Sequence, residues 1–183
     1  ERAARLTSQL LTYSRKQVLV PTTLDVGKLI EDLRRTVRRV VREDIRVEIE
    51  LTTAPCHALV DRTQLEQLVL NLVTNANDAM TNGGTLTITT KTADVPPADI
   101  LARSDSEHDL TGRPIILLQV TDTGTGMDTP TRRHIFDPFF TNKGARASTG
   151  LGLAIAYGVV RQSGGVIVVD SVVGRGTTFT VCL

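Results

Sequence analysis

Apolar residues recur along this chain with two different periods, which separate predicted helices from predicted strands. In residues 45–51 (IRVEIEL) apolar and polar side chains alternate strictly, as in a strand with one face in solvent. After Asp25 and after Asp61 the apolar positions recur every three or four residues, which predicts helices that end near Val41 and Met80. Each aspartate stands where a helix N-cap belongs, because its carboxylate can accept hydrogen bonds from the first turn.

Shorter patterns predict the remaining elements. Strands are predicted at 58–60, 85–92, 114–121, 166–170 and 177–181, helices at 129–135 and 150–163, and loops at 93–112 and 137–149. The last two strands are expected to form a hairpin closed by residues 174–176 (GRG). Helices combined with a mainly antiparallel set of strands indicate an α+β sandwich.

The start of the chain differs from the rest. Residues 1–17 carry apolar positions at near-helical spacing among basic side chains, which predicts the last turns of an amphipathic helix. Pro21 breaks this pattern, and we assign residues 18–24 to a linker and residues 25–183 to the main domain. Because the chain opens inside a helical pattern, we expect it to be part of a longer protein.

Composition excludes several kinds of partner. The 183 residues carry a formal net charge of +1 and 3% aromatic side chains, so no nucleic-acid partner is expected. No apolar run approaches the roughly 18 residues of a membrane-spanning helix. Cys56 and Cys182 lack metal-ligand spacing, and we expect buried free thiols rather than a disulfide. Free thiols favour a cytoplasmic location, which leaves open whether the parent protein is anchored to a membrane.

Residues 122–127 (DTGTGM), directly after the apolar run of 114–121, are the first candidate for ligand binding. A carboxylate at the end of a buried strand needs a hydrogen-bond donor, and Gly124 and Gly126 let a flat ligand approach the backbone. A purine meets both needs, with its exocyclic amine on Asp122. Taken alone, the pattern also fits an ordinary β-turn.

The helix predicted after Asp61 places Asn71, Asn75 and Asp78 on one narrow face, at positions i, i+4 and i+7. Three side-chain oxygens in a row suit a hard cation such as Mg²⁺, which also bridges to phosphates. A polar surface stripe is the alternative. Asparagine has only mediocre helix propensity, which favours the functional interpretation.

Residues 148–154 (STGLGLA) place glycines at the start of a predicted helix, where free N–H groups and the helix dipole attract phosphate. An ordinary helix start fits the same pattern. Residues 143–148 are small and polar, which predicts a flexible lid with Lys143 available to phosphate oxygens. At the root of this lid, Phe139 and Phe140 are expected to pack into the core.

Four motifs in this order resemble those of the ATP-binding catalytic domain of two-component sensor histidine kinases. They are NLVTNA at 71–76, DTGTGM at 122–127, FDPFF at 136–140 and TGLGL at 149–153, and GRGTTF at 174–179 matches the closing strand. Residues 78–80 resemble the hybrid and nitrogen-sensor subfamilies. The resemblance implies the Bergerat fold of the GHKL superfamily, which also includes DNA gyrase and heat-shock chaperone ATPases. This fold is a two-layer α/β sandwich with a mixed, mainly antiparallel sheet and helices on one face.

The resemblance also implies a role for each site residue. The set it assigns is Asn71, Asn75 and Lys143 for catalysis, Asn75 for the metal, and Asp122, Gly124, Gly126, Gly150, Leu151, Gly152 and Thr177 for the nucleotide. Asp122 would accept the adenine amine, the glycines of the same motif would flank the base, and Thr177 would reach it through water. Asn75 would coordinate Mg²⁺ with support from Asn71, and the backbone of residues 150–152 would bind the phosphates.

The implied function is transfer of the ATP γ-phosphate to a histidine on a dimerisation and phosphoacceptor domain. Residues 1–17 resemble the end of that domain's second helix, and its phosphorylated histidine is not in this chain. Expected partners are that domain, the receiver domain of a response regulator, and the second subunit of a homodimeric parent. The alternatives are a nucleotide-sensing module without transfer and an ATP hydrolase. Asn71 opposes the latter, because hydrolases of the superfamily carry a water-activating glutamate there.

Overall fold

The computed structural model describes residues 20–94, 100, 114–141 and 149–183. The strands are β1 (Thr22–Asp25), β2 (Ile45–Glu50), β3 (His57–Val60), β4 (Gly84–Ala93), β5 (Ile115–Asp122), β6 (Val166–Val172) and β7 (Gly176–Cys182). Within the described residues the main sheet has five strands in the order β2-β4-β5-β7-β6. β2 and β4 are parallel. The other neighbouring strands of this sheet are antiparallel, and they include the predicted β6–β7 hairpin.

The helices α1 (Val26–Val40), α2 (Arg62–Ala79), α3 (Thr129–His134) and α4 (Gly152–Gln162) follow the predicted pattern. Both predicted aspartate caps are confirmed. Asp25 Oδ1 accepts from the backbone N–H of Lys28 at 3.1 Å, and Asp61 Oδ1 accepts from that of Gln64 at 3.1 Å. The cap fixes where each helix begins, because it satisfies an N–H group that has no partner within the helix.

The main core lies between the helices and one face of the sheet. Its fully buried residues include Leu29, Ile30, Leu65, Leu68, Leu72, Leu86, Ile88, Leu118 and Phe179. Because side chains alternate along a strand, the other face carries a separate, smaller apolar cluster. It consists of Ile100, Ile115, Val166, Val168 and Cys182. The predicted α+β class, with a mixed, mainly antiparallel sheet and helices on one face, is confirmed.

A second, two-stranded sheet was not predicted. Residues 22–24, which we assigned to the linker 18–24, lie in β1, which pairs antiparallel with β3. Leu24 stands opposite Ala58 in this register and packs against the main core. A four-residue strand carries too little alternation to be read from sequence, and its pairing depends on a partner more than 30 residues away.

Several predicted segments fall outside the described residues. They are the helix at 1–17, most of the loop at 93–112, and the lid at 143–148 with Lys143. Among the helices of the described part of the chain, none combines the length and the apolar character needed to cross a lipid bilayer.

Candidate nucleotide-binding site

A cavity of about 350 Å³ opens where α2, α3 and the start of α4 meet. Its described lining residues are Asn71, Thr74, Asn75, Asp78, Met127, Thr131, Ile135, Phe140, Thr141, Thr149, Gly150, Gly152 and Leu153. Asn71, Asn75 and Asp78 all line this space, which confirms the prediction that they share one face of α2. The volume is in the range of about 300–1,000 Å³ that small-molecule sites occupy.

Asn71 gives the cavity an unmet hydrogen-bonding requirement. Its Nδ2 atom is buried and has no hydrogen-bond partner among the described residues. A buried amide that finds no acceptor costs free energy, about 1–3 kcal/mol. A Cβ added to Gly152 would stand 3.9 Å from the Asn71 side chain, so a side chain there would begin to fill the space beside this amide. An anionic ligand in the cavity would satisfy the Asn71 donor.

The start of α4 forms the opposite wall. Leu151 is the N-cap residue and makes no side-chain cap hydrogen bond, and it lies between two glycines that line the cavity. The Leu151 side chain thus leaves the first backbone N–H groups of α4 uncapped, which suits them to phosphate oxygens. Gly150 has a φ of 64°, and a Cβ there would stand 2.5 Å from the carbonyl carbon of Phe139.

The packing predicted for Phe139 is wrong. Its side chain is 45% exposed and its φ is 67°, in the left-handed region that non-glycine residues rarely adopt. The backbone explains the difference, because the Phe139 N–H donates to the Gly150 carbonyl at 2.9 Å. This backbone docking turns the Phe139 side chain outward. Phe140 packs against the main core, as predicted, and also lines the cavity.

The Asp122 motif lies at the end of β5, deeper in the molecule. Asp122 is only 3% exposed, and its Oδ1 accepts from the Gly124 N–H at 2.8 Å. Thr125 N–H donates to the Ala79 carbonyl at 3.0 Å, which joins the turn to the last residue of α2. A Cβ on Gly124 would stand 2.6 Å from that same carbonyl oxygen, so the close approach requires glycine.

The β6–β7 hairpin holds the other side of this turn. Gly126 has a φ of 64°, and a Cβ there would stand 2.0 Å from the Val172 carbonyl oxygen. The Gly174 N–H donates to the Thr125 carbonyl at 2.7 Å. Thr177 is buried and pairs with Asp122 across β5 and β7. The turn is therefore enclosed between the end of α2 and the hairpin.

The predicted site residues thus fall into two groups. Asn71, Asn75, Gly150 and Gly152 line the cavity, whereas Asp122, Gly124, Gly126 and Thr177 do not. Met127 joins the groups, because it ends the glycine motif and lines the cavity. The sequence analysis did not select Thr74, which completes the i, i+3, i+4, i+7 spacing on α2 and could have been found by that signal. Lys143 lies outside the described residues.

Asp78 is the one acidic side chain among the described residues that line the cavity. Within the described ranges, no three His, Cys, Asp or Glu side chains converge on a point that could hold a metal ion. Asp128 caps α3, and hydrogen bonds from the Thr131 hydroxyl and backbone N–H hold the pKa of Asp128 below its usual value. A cation in this cavity would therefore depend on the side-chain oxygens of α2, from Asn71, Asn75 and Asp78, and on its ligand's phosphates, a donor set that suits Mg²⁺.

Comparison with known proteins identifies the class. Residues 60–183 match the family described as histidine kinase-, DNA gyrase B- and HSP90-like ATPases. The chain belongs to this family, and the fold and the order of its motifs agree with it. The predicted resemblance to the catalytic domains of sensor histidine kinases is confirmed.

The individual proteins that the chain resembles include sensor histidine kinases. The chain is 42% identical over its full length to 19% of the sensor kinase CckA of Brucella abortus. It is 31% identical, over 98% of its length, to 26% of the signal transduction histidine-protein kinase AtoS of Escherichia coli. Among solved structures, the mycobacterial sensor histidine kinase MprB superposes with a TM-score of 0.69 at 28% identity, covering 90% of this chain and 97% of that one. The chain thus spans about a fifth to a quarter of these two curated relatives.

Proposed function

We propose that this chain is the ATP-binding catalytic domain of a sensor histidine kinase, which transfers the γ-phosphate of ATP to a histidine on a phosphoacceptor domain. One observation carries the proposal. The polar face of α2 and the start of α4 line one cavity, and the buried Asn71 Nδ2 beside it has no hydrogen-bond partner among the described residues. A ligand with several anionic oxygens satisfies that donor and the N–H groups of α4 together.

The residues present fit ATP and Mg²⁺. We assign the phosphates to the backbone N–H groups of residues 150–152 and to the Asn71 amide, and we assign the metal to the side-chain oxygen of Asn75. Lys143 is proposed as a further cation for the phosphates. When bound, Mg²⁺ neutralises part of the negative charge on the phosphates.

The adenine is assigned to the deeper half of the site. Asp122 accepts from its exocyclic amine, Gly124 and Gly126 flank the ring, and Thr177 reaches it through water. Continuity supports this placement, because Met127 ends the same turn and lines the cavity that holds the phosphates. The burial of Asp122 also supports it, since a carboxylate screened from solvent forms a stronger hydrogen bond with an amine.

The protein's part in the reaction is to position ATP and to stabilise its charge. Asn71 stands one turn before Asn75, and its amide cannot take a proton from water. We therefore assign binding roles to Asn71 and Asn75, and we assign the base that activates the acceptor histidine to the phosphoacceptor domain. Loss of the γ-phosphate to water is disfavoured for the same reason.

The organisation of the parent protein follows from this assignment. We propose that residues 1–17 end the second phosphoacceptor helix, that the linker joins it to the domain of residues 25–183, and that the parent is a homodimer. A receiver domain then takes the phosphoryl group from the histidine. We assign the chain to the cytoplasm, where ATP is available.

Calorimetry with ATP and Mg²⁺ tests the binding half of the proposal. Asp122→Ala should weaken ATP binding by about 1.5–3 kcal/mol, the range for a hydrogen bond to a charged group. Asp170→Ala, an exposed aspartate on β6, is the matched control and should leave the affinity unchanged. Equal affinity in wild type and Asp122→Ala would refute the adenine assignment.

Transfer is tested by adding a separately expressed phosphoacceptor domain and γ-labelled ATP. Acid-labile, base-stable label on that domain is the expected result, because phosphohistidine has this stability. Tight ATP binding without transfer would instead indicate a nucleotide-sensing module. Sustained phosphate release by the chain alone would indicate an ATP hydrolase.

A further inference from the structure

Ser171 lies at the junction between the β6–β7 hairpin and the Asp122 turn. Ser171 pairs with Thr177, and Thr177 pairs with Asp122, so the three residues form one row across β6, β7 and β5. Paired residues on antiparallel strands project to the same face of the sheet. Ser171 therefore lies one strand beyond the proposed adenine contacts Asp122 and Thr177, and the proposed function assigns it no role.

The Ser171 hydroxyl has three partners. It accepts from the backbone N–H of Met127 at 2.8 Å and donates to the Gly176 carbonyl at 3.1 Å. Its oxygen also lies 2.9 Å from the Thr177 hydroxyl oxygen. Met127 lines the cavity, so this one hydroxyl contacts the cavity wall, the hairpin turn and Thr177 together.

Counting hydrogens fixes the direction of these bonds. A serine hydroxyl has one hydrogen and two acceptor lone pairs. The Gly176 carbonyl can only accept, so the Ser171 hydrogen points to Gly176. The Met127 N–H fills one lone pair, and the Thr177 hydroxyl donates to the other. Thr177 has then used its only hydrogen, and its oxygen can act only as an acceptor towards a ligand.

We propose that Ser171 is a positioning residue that sets nucleotide specificity, by holding Thr177 as a hydrogen-bond acceptor. This inference rests on the proposed function. The ligand side of the row then presents only acceptors, the Asp122 carboxylate and the Thr177 oxygen. A 6-amino purine donates from its exocyclic amine to Asp122, and its N1 accepts from the water that donates its other hydrogen to Thr177. A 6-oxo purine such as guanine presents a carbonyl oxygen and an N1–H at those two positions, and pairs with neither group.

Replacing Ser171 frees the Thr177 hydrogen to turn towards the ligand. Ser171→Ala should therefore lower the ratio of the GTP dissociation constant to the ATP dissociation constant by about threefold to tenfold, as the change of one hydrogen bond implies. Both constants are measured by calorimetry on the whole chain with Mg²⁺. Ser171→Thr keeps the hydroxyl and should keep the wild-type ratio.

Thr178→Ala is the matched control. The Thr178 hydroxyl pairs with that of Thr121 at 3.1 Å, one residue further along β7, and projects to the opposite face of the sheet. Like Ser171→Ala, this substitution removes a contact between two hydroxyl groups, one of which lies on β7. It should leave the ratio of the two dissociation constants unchanged.

A double variant separates positioning from general loosening of the site. In a Thr177→Val background, Ser171→Ala should not change the ratio further, because the residue through which it acts is gone. An equal change in both backgrounds would overturn the inference. If Ser171→Ala does not fold, an unchanged ratio in Thr177→Val would overturn the inference, because Ser171 is proposed to act through Thr177.

The possible results distinguish a failure of the proposed function from a failure of the role proposed for Ser171. If the wild type does not bind ATP, the proposed function itself fails. If the wild type prefers ATP and Ser171→Ala folds with the same preference, only the role of Ser171 is overturned.

Discussion

Single atoms decide the chemistry of the cavity. The buried Nδ2 of Asn71 requires an acceptor, and no described residue supplies one. Asn77, on the same helix, has its Oδ1 bonded to the Arg42 N–H at 3.0 Å. The same residue type thus has a structural role on one face of α2 and a proposed functional role on another.

That contrast gives a test of the metal assignment. Asn75→Ala should weaken ATP binding by about tenfold or more in the presence of Mg²⁺, and much less in EDTA, because only the metal-dependent contact is lost. ATP titrations with and without Mg²⁺ measure the difference. Asn77→Ala should destabilise the fold without altering the Mg²⁺ dependence. Equal losses for Asn75→Ala in both conditions would contradict a role as metal ligand.

Among the elements, α2 does most to connect the fold to the site. Its apolar residues lie in the main core, its polar face lines the cavity, and its last carbonyl holds the glycine turn. Its first turn is fixed by Asp61, which accepts from the Gln64 N–H and, through Oδ2, from the Val20 N–H at 3.1 Å. The cap therefore secures both the helix and the segment that leads into β1.

The Asp61 cap predicts a pH dependence of stability. Hydrogen bonds from the N–H groups of Val20 and Gln64 lower the pKa of Asp61 below its usual value. A lowered pKa means that the carboxylate stabilises the fold fully above the unfolded value of about 3.9, and that this contribution is lost as the pH falls through the folded pKa.

Asp61→Ala should therefore cost about 1 kcal/mol at pH 7, as the loss of an N-cap typically does. The cost should shrink as the pH falls below about 4, where the Asp61 carboxyl of the unfolded chain takes up a proton before that of the folded chain does. Urea unfolding of the wild type and the variant at several pH values measures it. A cost that is the same at pH 7 and pH 3 would show that the charge of Asp61 plays no part.

At the scale of the whole molecule, the sheet separates two apolar clusters of unequal size. The larger one holds the helices against the sheet and contains Cys56, and the smaller one on the other face contains Cys182. Neither cysteine forms a disulfide, and both are buried, as predicted. Burial and the nearby charge of Asp25 raise the pKa of the Cys56 thiol, so little reactive thiolate forms at neutral pH.

The two thiols report the unfolding of each cluster. In native buffer, neither should react quickly with a disulfide exchange reagent, and both should react at once in denaturant. ATP with Mg²⁺ at about 100 times its dissociation constant should slow labelling by up to about 100-fold, because the ligand binds only the folded state. Asp122→Ala should need more ATP for the same protection. Rapid native labelling of Cys56 would contradict the described packing.

Features that depend on near neighbours could be predicted from the amino-acid sequence. Helix periodicity, the aspartate caps and the i, i+4 spacing of Asn71 and Asn75 involve residues within two turns of each other, so a local pattern records them. Motif order alone identified the family, and with it the class of fold.

Features that depend on the pairing of distant segments could be recognised only in the folded chain. Examples are the strand β1, the parallel pairing of β2 with β4, the outward turn of Phe139 and the contact of Ser171 with Met127. In each case no local pattern specifies the partner segment. Strand pairing and backbone docking are set by which surfaces bury together, and that choice is made by the whole chain at once. The same holds for the proposed site. Its residue types could be predicted from the sequence, whereas their positions around one cavity could not.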